Sequence, residues 1–115
     1  MAVCADAPSF EARISGIIAE AQALDRSLGN PVPWRVDDRA KGPAYAVASD
    51  DQRRRMVSAA RLSGLVLDPV YTGKAFCGLW ALCQAGALGA RRVLFLHTGG
   101  LPGLLAQADR FEGLV

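Results

Sequence analysis

The chain has 115 residues, of which 51% are hydrophobic and 21% charged, and a formal net charge of +2. That length holds one domain at most and can bury a real core, while so mild a charge argues against nucleic acid as a partner and no apolar run approaches the ~20 residues that span a bilayer. Cys4, Cys77 and Cys83 are odd in number and lack Cys-x-x-Cys spacing, so neither a disulfide framework nor a zinc site is indicated, and a reducing, cytoplasmic setting is expected.

Met1-Ala2-Val3-Cys4 reads as the tail of a buried strand and lacks the basic-then-apolar order of a signal peptide. Asp6-Ala7-Pro8-Ser9 supplies helix-start chemistry. Phe10, Ile14, Ile17, Ile18, Ala21, Leu24 and Leu28 then recur at three- and four-residue spacing, which predicts an amphipathic helix of about five turns stopped by Gly29-Asn30-Pro31. Trp34-Arg35-Val36 alternates like a short strand, with Trp34 core or interface material. Asp37 to Ala46 is a polar, glycine- and proline-bearing loop of the kind that carries function. Its adjacent Asp37 and Asp38 point to opposite sides of an extended segment and read as loop and salt-bridge groups.

Ser49-Asp50-Asp51-Gln52 is a capping box that starts a helix burying Met56, Val57 and Ala60 and ending at Gly64. Within it, Arg53-Arg54-Arg55 reads as a solvated face rather than a phosphate patch. Leu65-Val66-Leu67 is a second short strand, and Asp68 to Lys74 is its strand-to-helix turn. Phe76, Leu79, Trp80 and Cys83 line one face of the next helix, which Gly86 closes. Arg92 to Leu96 reads as a strand buried on both faces, opening through His97-Thr98-Gly99-Gly100 into a last helix that carries Pro102 in its first turn and runs to about Ala108.

Strands alternating with helices predict an α/β domain: a small parallel sheet with flanking helices, continued by residues beyond this chain. The turns after Leu67 and Leu96 then fall on one sheet edge, where ligands bind. Tyr71, Thr72, Lys74, His97, Thr98 and Tyr45 are the candidate groups there. His97 is either an acid–base group or a strand-end histidine bonded to backbone, and Thr98 alone would pass for a helix cap.

Leu67-Asp68-Pro69-Val70-Tyr71-Thr72-Gly73-Lys74-Ala75, followed by Val93-Leu94-Phe95-Leu96-His97-Thr98-Gly99-Gly100-Leu101-Pro102, closely resembles the C-terminal part of the D-cysteine desulfhydrases and 1-aminocyclopropane-1-carboxylate deaminases. These are pyridoxal-phosphate enzymes of the tryptophan-synthase-β fold type (fold type II). The likeness extends through Val36-Asp37-Asp38-Arg39 and Gly42-Pro43-Ala44-Tyr45 and so covers nearly the whole chain. It implies that residues 1–115 form one partial domain, the C-terminal part of the large cofactor-binding domain.

By the same resemblance, Thr98 lies beside the pyridine nitrogen of pyridoxal 5'-phosphate, with Gly99 and Thr72 also on the cofactor side. A neutral hydroxyl at that nitrogen makes the ring a tempered electron sink. Tyr71 and Tyr45 are implied as the catalytic pair at the substrate. The family flanks its second tyrosine with glycines, where this chain has Ala44 and Ala46. Threonine at position 72, where the deaminases tend to have glutamate, favours D-cysteine desulfhydrase: α,β-elimination to pyruvate, ammonia and sulfide.

Family members are roughly three times as long. Their cofactor-carrying lysine and glycine-rich phosphate loop lie upstream of the matching segment, and neither Lys41 nor Lys74 matches that lysine. The chain alone is therefore expected to be catalytically incomplete. Its expected partners are a small amino-acid substrate, the upstream segment and a second copy in a homodimer, with neither nucleic acid nor membrane among them. The alternatives are aminocyclopropane-carboxylate deaminase, a cysteate sulfo-lyase, or a non-catalytic α/β binding module.

Overall fold

A computed structural model describes residues 6–89 and 92–114. In chain order it contains α1 (Ala7–Leu24), α2 (Asp50–Ser63), α3 (Thr72–Gln84) and α4 (Leu101–Leu105), then a 3-10 turn at Ala108–Phe111. The strand expected at Met1–Cys4 lies outside the described residues.

The small parallel sheet is not formed. Among the described residues the β pairing is an isolated antiparallel bridge between Ala44 and Val47, and the stretches 34–36, 65–67 and 92–96 carry no ladder. An apolar run reports a preference for burial and extension, but a strand also needs a neighbour for its own N–H and C=O groups. Residues 92–97 do approach 65–67, through a side chain: the His97 Nε2 lies 2.8 Å from the Val66 carbonyl. Nor is this stretch buried on both faces, since Leu94 is 91% and Leu96 76% exposed, while Phe95 packs edge-on against Phe76.

The helices follow their sequence signals more closely. Asp6 caps α1 by accepting from the Ser9 N–H, and both halves of the Ser49–Gln52 capping box form at α2. α1 ends at Leu24, short of the expected Gly29-Asn30-Pro31 stop. The Asp25 carboxylate accepts from the Ser27 N–H and hydroxyl, a local bond that competes with another helical turn. α4 likewise stops at Leu105, ahead of Ala108.

α2 and α3 pack against each other, and Ala48, Met56, Val57, Ala59, Leu67 and Phe111 form the core. The face α3 buries is Thr72, Gly73, Lys74, Cys77 and Gly78, whereas Phe76, Leu79 and Trp80 are half-buried and Cys83 is exposed. Small residues let the backbone of α3 come close. A Cβ on Gly73 would stand 2.2 Å from Met56 Cε and 2.5 Å from the Asp68 carbonyl oxygen. Gly73→Ala is therefore expected to lower stability by about 2 kcal/mol or more, read as an earlier urea midpoint by circular dichroism.

Asp37 serves the loop and its salt bridge, whereas Asp38 reaches out of the loop to the start of α1. Asp38 Oδ2 accepts from the Ala7 N–H at 3.1 Å, and Arg39 grips Asp37 through Nε at 3.0 and 3.1 Å and through Nη2. The Arg39 hydrogen bonds hold the Asp37 carboxyl down to about 2. Its contribution to stability is full above about pH 4 and is lost as the pH falls through about 2. The stability difference between the chain and Asp37→Asn should accordingly shrink over that interval in urea titrations at stepped pH.

Candidate functional site

The two long motifs meet at one carboxylate. Asp68, 2% exposed, is followed by Pro69, which has no N–H of its own to satisfy. Asp68 Oδ1 accepts from the N–H groups of Val70 and Tyr71, each at 2.7 Å, and Oδ2 accepts from the Thr72 N–H at 2.9 Å and the Thr72 hydroxyl at 2.8 Å. These are donors that the start of α3 would otherwise leave unpaired, and a negative charge suits a helix N-terminus. Gly100, at φ +118°, backs onto the same group: a Cβ there would stand 2.2 Å from Asp68 Oδ2. The His-Thr-Gly-Gly turn is thus seated on the Asp-Pro-Val-Tyr-Thr turn.

The structure brings Tyr71 and Tyr45 together. Their hydroxyl oxygens are 2.5 Å apart, with the rings edge to face at a centroid distance of 6.0 Å. Tyr45 sits at the tip of the Ala44–Val47 bridge, and both rings are exposed. Each phenol both donates and accepts, so the pair can pass a proton to or from a molecule resting on it.

The three expected cofactor contacts are placed differently from one another. Thr98 is exposed on the turn. Gly99, at φ +99°, gives its N–H to His97 Nδ1 at 3.0 Å, yet nothing lies within 4 Å of where its Cβ would be, so its backbone is open to a ligand on that side. Thr72 is buried, its hydroxyl donating to Asp68 Oδ2 while accepting from the Asp68 N–H at 3.1 Å, which makes it part of the support beneath Tyr71.

His97 takes the backbone-bonded role. Its Nδ1 accepts from Gly99, so Nε2 carries the proton and donates to Val66. Lys74 is buried, its Nζ donating to the Ala44 carbonyl at 2.8 Å. Burial pushes the Cys77 thiol up to about 11, too high for a nucleophile at neutral pH. A hollow of about 410 Å³ opens between Asp37, Arg39, Asp51, Arg55 and Cys77, and neither tyrosine nor Thr98 nor Gly99 lines it. Among the described residues no group of three or more His, Cys, Asp or Glu is placed to hold a metal ion. No helix among them is long and apolar enough to cross a membrane.

Sequence reasoning passed over Asp68, although an Asp-Pro step ahead of Thr-Gly is a cap signature. It also passed over Gln107, whose Nε2 donates to the Ala46 carbonyl at 3.2 Å across 61 positions and which no local pattern marks.

No family model matches the chain, and no solved structure matches it. Among curated proteins it is similar to three named "Putative 1-aminocyclopropane-1-carboxylate deaminase". With the one from Thermotoga maritima it is 40% identical over 101 residues, 88% of this chain and 31% of the relative. With that from Pyrococcus abyssi it is 51% identical over 72 residues, 63% of this chain and 22% of the relative. The Pyrococcus horikoshii protein is 50% identical over 52 residues, 45% and 16% respectively. The chain spans less than a third of the length of these relatives.

Replacing Asp68 by alanine leaves four donors, three of them buried, without their acceptor, so a loss of about 3 kcal/mol or more is expected in urea unfolding. Asp68→Asn keeps one accepting oxygen and should fall between the two.

Proposed function

We propose that this chain, similar to a segment of proteins named "Putative 1-aminocyclopropane-1-carboxylate deaminase", is a piece of that family and supplies the tyrosine-bearing half of a pyridoxal-phosphate lyase site. The observation that carries this reading is the Tyr45–Tyr71 hydroxyl pair at 2.5 Å, whose Tyr71 backbone is held by the same Asp68 carboxylate against which Gly100 of the His-Thr-Gly-Gly turn is seated. The exposed Thr98 hydroxyl and the open backbone of Gly99 suit the nitrogen edge of a pyridine ring. When bound, pyridoxal phosphate supplies the electron sink for the carbanion at the substrate's Cα. Tyr71 and Tyr45 would then lie at the substrate, where their hydroxyls would hold or return a proton.

Anchoring the cofactor is another matter. Lys74 is buried against the Ala44 carbonyl, where an aldehyde has no access, and Lys41 lies in the exposed loop. The carbonyl-capturing lysine and the phosphate cradle are assigned to the part of the family's length that this chain does not match, whether in the same polypeptide or in a partner.

For the substrate, Thr72 supports D-cysteine, eliminated to pyruvate, ammonia and sulfide. The names of the relatives support a second reading, ring opening of 1-aminocyclopropane-1-carboxylate. The test combines the chain with an upstream segment of a family member, adds pyridoxal phosphate, and supplies each amino acid in turn. Sulfide from D-cysteine is expected. Ammonia from the cyclopropane alone would select the second reading, and release of neither would overturn the lyase assignment.

A further inference from the structure

The turn that presents Tyr45 does not hold itself. It is a single bridge, Ala44 with Val47, closed by one bond from the Val47 N–H to the Ala44 carbonyl at 3.2 Å. Its other central residue, Ala46, lies at φ +57°, where a side chain costs about 1 kcal/mol or more that a glycine would not incur. An isolated bridge with that strain needs outside support.

Support reaches it from two distant places. Lys74 Nζ, carried on the first turn of α3 and fully buried, donates to the Ala44 carbonyl at 2.8 Å. Gln107 Nε2, beyond α4, donates to the Ala46 carbonyl at 3.2 Å. One bond falls on each side of Tyr45. Lys74 is also three residues from Tyr71, so the helix start that fixes one tyrosine grips the turn that carries the other. Gly42 leaves room for this grip, since a Cβ there would come within 3.3 Å of Lys74 Cε and 3.1 Å of Gln52 Oε1.

We propose that Lys74 and Gln107 are positioning residues that clamp the two carbonyls flanking Tyr45 and thereby set its hydroxyl against that of Tyr71. The clamp gives the tyrosine pair its function only if the lyase reading holds, but its geometry is measurable without substrate or cofactor.

The experiment uses NMR on the purified chain to follow the Tyr45–Tyr71 ring-to-ring Overhauser effect and the exchange rate of the Val47 amide. In Gln107→Leu the ring contact should weaken at least twofold and Val47 should exchange about three- to tenfold faster, with the urea midpoint nearly unchanged. Gln107→Lys, which keeps a donor of similar reach, should restore both, and Lys74→Met should exceed the Gln107→Leu effect. Unaltered ring contact and Val47 exchange in Gln107→Leu would overturn the clamp, whether or not Lys74→Met folds. Once the complemented protein turns over substrate, a clamp variant should lower kcat with little change in KM. A loosened turn with unchanged kcat would instead count against the role given to the tyrosines.

Discussion

A buried carboxylate with four hydrogen-bond donors on it is the constraint from which the arrangement of this chain follows. Asp68 gathers the N–H groups of Val70, Tyr71 and Thr72 and the Thr72 hydroxyl, so one side chain both starts α3 and fixes where Tyr71 leaves the backbone. Burying a charge is unfavourable unless it is fully bonded, and here the bonding is supplied by a turn that has nothing else to do with its amides. Two glycines make that turn accessible. Gly73 lets α3 meet Met56, and Gly100 lets the second motif rest on the carboxylate itself.

The features that could be read from the sequence were those encoded within a few residues. The Asp6 cap, the Ser49–Gln52 box, the stop at Gly64 and the Asp37–Arg39 pair are all short-range bonds between neighbours, and each forms. Tyr45 and Tyr71 were each singled out by motif likeness, and their hydroxyls lie 2.5 Å apart. What the sequence did not disclose depends on partners remote along the chain. The apolar stretches at 65–67 and 92–96 carry strand composition without a neighbouring strand, so α/β alternation led to a sheet that does not form. Similarly, Gln107 reaches Ala46 across 61 positions, a distance at which no periodicity speaks.

The site that results is built on support more than on display. Of the residues assigned to it, Tyr45, Tyr71 and Thr98 face outward, whereas Thr72 and Lys74 are internal and act on what lies above them. That division suits the proposed half-site: the surface offers hydroxyls and an open glycine backbone, and the interior holds them in register.

α1 stands apart from this economy of contacts. Its periodicity is that of a packed helix, yet none of its residues is buried, and Leu24 is 90% exposed. Among the described residues, two carboxylates taking backbone N–H groups tie it to the rest, Asp38 with Ala7 and Glu11 with Val36. Bonds of that kind at a solvent-accessible junction open far more readily than a filled interior. With its apolar stripe uncovered, α1 is the described element at which local opening is expected to begin, ahead of α2 and α3.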